Sequence, residues 1–142
     1  MAEQINIFVE NKPGRLRNVT RVLCEHKINI RAMVIQDSKD FGIMKLLVND
    51  PRQANLALTG AGFACALKKV LAIVIDDKPG GLMKLAEVFF DNGINVLDAY
   101  GFVVESKKEA IWCVEVTDPE KTKAAVEKNG FRILADSELY DL

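Results

Sequence analysis

The chain of 142 residues is 49% hydrophobic and 27% charged, with a formal net charge of −1 at pH 7. This balance gives no electrostatic footprint for nucleic acid, and no apolar run approaches the roughly 20 residues of a membrane helix. The N-terminus enters a predicted strand almost at once, which indicates a protein without a signal peptide and a cytoplasmic location. The scattered Cys24, Cys65 and Cys113 lack the spacing of a metal site or disulfide framework, so we expect reduced core thiols.

The first half of the chain alternates strand and helix patterns. An apolar run ends at Val9, and a sharp turn containing Pro13 and Gly14 follows it. Asp50-Pro51 supplies a helix N-cap and a proline at the first helical position. The predicted elements are strand 5–9, turn 10–14, helix 15–26, strand 28–35, hairpin loop 37–40, strand 43–48, a helix from Pro51 to Gly60 or Gly62, and strand 63–67.

The second half follows the same order. Its turn reads DDKPGG, and Gly93 stands where a helix C-terminus favours a left-handed residue. The predicted elements are strand 70–75, turn 76–81, helix 82–92, strand 94–104, loop 105–109, strand 110–116, a helix 119–129 capped by Asp118, and strand 131–135.

The two halves are a tandem repeat. NKPGRL at 11–16 returns as DKPGGL at 77–82, and Ile28-Asn29-Ile30 returns as Ile94-Asn95-Val96. These repeats are 66 positions apart, whereas Asp50-Pro51 returns 68 positions later as Asp118-Pro119, and Gly62-Phe63 returns 68 positions later as Gly130-Phe131. The difference of two residues fits an insertion in the hairpin loop of the second half. The sequence therefore predicts an α+β protein of two units, 1–68 and 69–142. Each unit is a ferredoxin-like βαββαβ fold, an antiparallel sheet with both helices on one face.

Four further expectations concern how the units are completed. Lys68-Lys69 is predicted to be a short join between strand four of the first unit and strand one of the second. Strand two, which opens at Asn29 or Asn95, and strand four are the expected sheet edges, and they invite side-by-side association of the units and a homodimer. The tail 137–142 occupies the repeat position of a further strand and is expected to extend or cover an edge. The apolar stripe of each unit's first helix is expected to consist of four residues that face the core. They are Leu16, Val19, Thr20 and Leu23 in the first unit and Leu82, Leu85, Ala86 and Phe89 in the second.

The repeated turn has two interpretations. Backbone N–H groups at a helix start lack internal partners and suit a carboxylate, and glycine lets a ligand approach the backbone. An Asn side chain offers both a donor and an acceptor, whereas ionised Asp77 only accepts and suits an ammonium group. Alternatively, the Pro-Gly pair merely makes a tight strand-to-helix turn, and the asparagines satisfy their own backbone.

The pairing of N/D-K-P-G-x-L with I-N-I/V, twice and at matching spacing, resembles the ACT domain over the whole chain. The resemblance implies a regulatory module that binds a small ligand, most often an amino acid, where two such domains meet. It implies a ligand site formed by the turns and by the segments at the two asparagines. The residues so implicated are Asn11, Pro13, Gly14, Arg15, Leu16, Asn29, Ile30, Asp77, Pro79, Gly80, Gly81, Leu82, Asn95 and Val96.

Three functional hypotheses follow. The first is a regulatory protein that senses an amino acid at an ACT–ACT interface. The second is an interaction module or regulatory subunit that pairs with an enzyme of amino-acid metabolism. The third is a small enzyme, which we do not expect because no catalytic motif appears and the single histidine, His26, lacks a partner at readable spacing. No cofactor and no metal are expected, and neither nucleic acid nor membrane is an expected partner.

Overall fold

The computed structural model describes residues 1–10 and 12–142, so Asn11 lies outside the described residues. The chain divides into two compact units, Glu3–Lys68 and Lys69–Tyr140, and Met1–Ala2 groups with the second. The elements are β1 (Ala2–Glu10), α1 (Arg15–Glu25), β2 (Ile30–Ser38), β3 (Phe41–Val48), α2 (Pro51–Gly60), β4 (Ala64–Asp76), α3 (Gly81–Asp91), β5 (Val96–Glu105), β6 (Glu109–Val116), α4 (Pro119–Lys128) and α5 (Asp136–Tyr140).

The first unit is a ferredoxin-like sheet covered by two helices. Its strands lie in the order β2-β3-β1-β4, and β1 and β2 both pair antiparallel with β3. Alternate residues of β1, such as Ile5 and Ile7, pack in one core with Val19 and Leu23 of α1 and with Leu58 of α2. Burial of this apolar surface removes it from water, which is the main favourable term in folding.

The second unit repeats this arrangement with strand order β4-β6-β5. Leu71 and Ile73 of β4 pack with Leu85 and Phe89 of α3 and with Val126 of α4. The predicted fold class, two βαββαβ units with antiparallel sheets, is thereby confirmed. No helix in the described part of the chain is both long enough and apolar enough to span a bilayer.

Three predicted details of the strands are wrong. Lys68-Lys69 is not a join, because β4 continues without a break from Ala64 to Asp76. For the same reason strand four of the first unit is not a sheet edge, since this continuous strand also pairs with β6. The strand predicted at 131–135 is reduced to a single bridge between Ile73 and Ile133. Of the two roles expected for the tail, the strand is not formed, because Asp136–Tyr140 is a helix whose Leu139 is fully buried. The alternative, that the tail covers an edge, stays a prediction.

The stripe predictions fail at Leu16 in α1 and at Leu82 and Ala86 in α3, which are exposed. Leu16 is 44% exposed and Leu82 is 42% exposed, while Val19, Leu23, Leu85 and Phe89 are buried. Both leucines lie in the first turn of their helix. Amphipathic periodicity identifies the stripe, but the burial of each position depends on which residues pack over it.

The helix ends differ between the units in one respect that affects stability. Lys27 follows α1 with φ 57°, and Gly93 follows α3 with φ 63°, as predicted for that glycine. Both ends close alike: Ile28 N–H donates to the Leu23 carbonyl and Ile94 N–H donates to the Phe89 carbonyl, each at 2.9 Å. A left-handed conformation is unfavourable for a residue that carries a Cβ.

We therefore expect Lys27→Gly to raise the free energy of unfolding by about 1 kcal/mol, since it relieves the strain of the left-handed backbone. Gly93→Lys should lower it by a similar amount. Urea denaturation followed by circular dichroism measures both changes. A loss of stability in Lys27→Gly would contradict the assigned strain.

Candidate ligand-binding site

The two Pro-Gly turns lead into helices whose N-cap residue is a glycine, which offers no side chain for capping. Gly14 is the N-cap of α1 with φ 93°, and Gly80 is the N-cap of α3 with φ 86°. By contrast, Asp50 Oδ1 accepts from Gln53 N–H at 3.0 Å and Asp118 Oδ1 accepts from Lys121 N–H at 3.1 Å. The chain thus caps α2 and α4 with its own carboxylates, whereas no side chain among the described residues caps α1 or α3.

The glycines of the turns are required by the chain itself. Gly14 and Gly80 adopt positive φ, where glycine carries no steric penalty. A Cβ on Gly81 would lie 2.1 Å from the Asp76 carbonyl oxygen. The backbone geometry of the turns is therefore sufficient to explain these three glycines. That the glycines also let a ligand approach the backbone stays a prediction.

The first turn carries a cluster of charges. Lys12 Nζ lies 2.6 Å from Glu10 Oε2, and Arg15 Nη2 lies 3.5 Å from the same oxygen. The hydrogen bond from Lys12, with the charge of Arg15 added, holds the pKa of Glu10 below its usual value. Pro13 and Gly14 beside this cluster are exposed.

The second turn is tied to the loop between β5 and β6. Asp77 Oδ2 accepts from Lys107 N–H at 2.6 Å, and Asp77 N–H donates to the Lys108 carbonyl at 3.0 Å. Lys107 itself has φ 65°. One carboxylate oxygen of Asp77 therefore stabilises this loop, a structural role that sequence reasoning missed. Pro79 and Gly80 are exposed and Gly81 is buried.

The two asparagines precede the second strand of their units and are both exposed. In the first unit, Asn49 Oδ1 accepts from Asn29 N–H at 2.9 Å, and Asn49 N–H donates to the Asn29 carbonyl at 3.1 Å. In the second unit Thr117 stands where the repeat places Asn49. The neighbouring Ile30 and Val96, also predicted site residues, are half-buried at the start of β2 and β5.

Within each unit the turn and the asparagine line different cavities. Arg15 lines a cavity of about 190 Å³, whereas Asn29 and Ile30 line another of about 370 Å³. Gly81 lines a cavity of about 470 Å³, whereas Asn95 lines one of about 320 Å³. None of these four cavities is lined both by a described turn residue and by the asparagine of the same unit.

Other reactive groups lie apart from the turns. Burial raises the pKa of the Cys113 thiol to about 12 and also raises the pKa of Tyr100, which lies opposite it on β5. Cys24 is exposed, so the expectation that all three cysteines are core residues is wrong for this one. Among the residues that the structure describes, no cluster of His, Cys, Asp and Glu could hold a metal ion.

The family profile described as ACT domain pair matches residues 1–142. The chain belongs to the ACT domain pair family. This confirms the resemblance seen in the repeated Pro-Gly and Ile-Asn motifs. No curated protein matches the chain.

Solved structures agree with the ACT pair assignment. A crystal structure of a protein from Bacteroides thetaiotaomicron is 33% identical, covers 99% of this chain and 96% of its own, and has a TM-score of 0.94. The regulatory subunit of aspartate kinase from Thermus thermophilus, in a ligand-free form, is 17% identical, covers 90% and 92%, and has a TM-score of 0.67. The corresponding subunit from Thermus flavus is 17% identical, covers 89% and 91%, and has a TM-score of 0.61. At this identity the last two show likeness of fold.

Proposed function

We propose that this ACT pair is a non-catalytic regulatory protein that senses an amino acid. The observation that carries the proposal is the contrast between helix N-termini within one chain. The helices α2 and α4 are capped by Asp50 and Asp118, and the helices α1 and α3 after the Pro-Gly turns have no side-chain cap. The first N–H of each of these helices donates to its own turn, Arg15 N–H to the Lys12 carbonyl at 3.3 Å and Gly81 N–H to the Lys78 carbonyl at 3.0 Å. The N–H groups that follow in the first helical turn lack partners within the helix, and with the positive end of the helix dipole they favour a carboxylate there.

In the proposed site, the ligand carboxylate meets the turn and an asparagine amide from another ACT domain completes the contact. The turn and the asparagine of one unit line separate cavities, so we propose that a second copy of the chain supplies the asparagine in a homodimer. The exposed Leu16 and Leu82 flank the two turns and would be covered in such an interface. Light scattering that shows a monomer at high concentration would contradict this part.

The first test is a thermal-shift screen of the twenty amino acids, since a ligand that binds only the native state raises its stability. We then expect Asn29→Ala or Asn95→Ala, at an occupied site, to weaken binding by roughly one to two decades. The reason is that a polar group left without its partner costs about 1–3 kcal/mol. Isothermal titration calorimetry measures the affinities.

Asn92→Ala is the matched control. The Asn92 amide donates to the Val88 carbonyl at 2.8 Å at the end of α3 and is therefore occupied within its own helix. It should leave the affinity unchanged. If Asn29→Ala and Asn95→Ala left the affinity as unchanged as Asn92→Ala does, neither asparagine would belong to the binding site.

A second candidate function is a regulatory subunit for an enzyme, the role that the Thermus thermophilus protein has for aspartate kinase. The observation that favours it is the apolar exposure of the terminal strands. Ile35 on β2 and Val103 and Val104 on β5 are exposed, and both strands end the strand order of their units. This function would be favoured if no amino acid raised the melting temperature of the chain and the chain co-purified with an enzyme.

A further inference from the structure

The same cleft occurs at equivalent positions in both units. In the first unit it lies between the end of β1, the start of α1 and the segment before β4, and we call it the β1–α1 cleft. Its lining residues are Phe8, Val9, Glu10, Arg15, Gly62, Phe63 and Ala64. In the second unit the corresponding residues are Val74, Ile75, Asp76, Gly81, Gly130, Phe131 and Arg132, and they line what we call the β4–α3 cleft.

The two clefts differ in size because of what the chain places in them. The β1–α1 cleft holds about 190 Å³ and the β4–α3 cleft about 470 Å³. Arg15 lines the smaller cleft, and its guanidinium reaches the Glu10 carboxylate at 3.5 Å. Its repeat counterpart is Gly81, where the Asp76 carbonyl excludes any side chain. The second unit therefore keeps the acid of the pair, as Asp76, and lacks the arginine. Lys78 Nζ lies 3.8 Å from Asp76 Oδ2, whereas its counterpart Lys12 Nζ lies 2.6 Å from Glu10 Oε2.

The lining of the larger cleft fits a basic molecule that also carries a carboxylate. Asp76 and Glu109 supply negative charge, while Lys84 and Arg132 supply positive charge. Arg132 Nη2 lies 3.8 Å from Glu109 Oε2. Val74, Val88 and Phe131 add apolar surface for an aliphatic stem. The volume lies at the small end of the range for ligand pockets.

We propose that the β4–α3 cleft binds a free basic α-amino acid, whose side-chain cation takes the place at Asp76 that Arg15 takes at Glu10. The aliphatic stem packs on Val88 and Phe131, and the carboxylate lies towards Lys84 and Arg132. The proposal rests on the proposed function for the ligand being an amino acid. It adds the class of that amino acid and a site separate from the two asparagines.

The test is calorimetric titration of the full chain with L-arginine, L-lysine and agmatine, with L-norleucine as the control whose side chain is uncharged. L-arginine or L-lysine should bind, agmatine should bind more weakly because it lacks the carboxylate, and L-norleucine should not bind. Asp76→Asn should weaken the binding of the basic amino acid by roughly tenfold or more, as expected for a lost charged hydrogen bond.

Two control variants each remove one negative charge, as Asp76→Asn does, but at other places in the chain. Asp91→Asn removes an exposed acid at the far end of α3. Glu10→Gln removes the equivalent acid of the cleft that Arg15 already lines. Both should leave the affinity of the basic amino acid unchanged. An equal loss in Asp91→Asn and Asp76→Asn, or a loss in Glu10→Gln alone, would overturn the proposal.

The outcomes separate this inference from the proposed function. If a neutral or acidic amino acid binds and arginine, lysine and agmatine do not, the cleft proposal is overturned and the proposed function stands. If a basic amino acid binds with Asp76 dependence and Asn29→Ala and Asn95→Ala change nothing, the cleft is supported and the asparagine contact is overturned. Amide shifts of Gly81 and Gly130 in NMR titration should accompany binding in the cleft, and their absence would overturn it.

Discussion

Gly81→Ala is expected to lower the free energy of unfolding by about 3 kcal/mol, the upper part of the usual range for overpacking. The added Cβ would lie 2.1 Å from the Asp76 carbonyl oxygen, and that oxygen belongs to the backbone of a strand paired to β6. A flexible side chain could move away at little cost, but this oxygen cannot move without disturbing the strand. Urea denaturation monitored by circular dichroism measures the change.

Gly60→Ala is the matched control for this substitution. A Cβ on Gly60 would meet no atom within 4 Å, and Gly60 does not adopt positive φ. It ends α2, so alanine there should be neutral or stabilising by about 0.4–1 kcal/mol. If both variants retained the stability of the parent chain, the close approach of Gly81 to Asp76 would be wrong, and with it the reason why the β4–α3 cleft lacks an arginine.

Leu58→Ala is expected to lower the free energy of unfolding by about 2–5 kcal/mol, because it deletes buried methyl groups and leaves a cavity. Leu58 is completely buried in the core of the first unit, where it packs with Ile5, Ile7 and Leu23. The same denaturation measurement reports the loss. The number of unfolding transitions also tests whether the two units unfold together. A single transition shifted as a whole would indicate joint unfolding, and a separate transition of the first unit would indicate independent unfolding.

Leu56→Ala provides the comparison on the same helix. Leu56 is two residues away on α2 and is 74% exposed. Its truncation should change the stability by no more than about 0.5 kcal/mol, as for most surface substitutions. Similar losses in the two variants would mean that the face of α2 directed at the sheet has been assigned wrongly.

The order of the elements could be read from the chain because their signals are local. Asp50-Pro51 and Asp118-Pro119 mark helix starts by a side chain that accepts from an amide three residues on, and the structure contains both hydrogen bonds. The repeat of the Pro-Gly turn and of the Ile-Asn pair indicated that both halves of the chain have the same order of elements and therefore the same fold. Periodicity in β1 and α1 identified core residues such as Ile5, Val19 and Leu23.

Other features depend on neighbours distant in the chain. The capture of the Asp77 carboxylate by Lys107 N–H joins residues 30 positions apart, and no pattern around Asp77 indicates it. The Asn29–Asn49 clip spans 20 positions. The acids and cations of the β4–α3 cleft come from β4, α3, β6 and the segment after α4. Because these segments are far apart in the chain, no local sequence pattern indicates that they line one cleft.

The sequence by itself determined the duplication, the βαββαβ order and the family, because turns, caps and apolar periods act through residues a few positions apart. Only the tertiary structure decided that β4 runs unbroken through Lys68-Lys69, that the tail is a helix, and that Leu16 and Leu82 stay exposed. It also decided which cavity each turn and each asparagine lines. These outcomes depend on which strands pair and on which surfaces remain uncovered, and both are set by contacts between segments far apart in the chain.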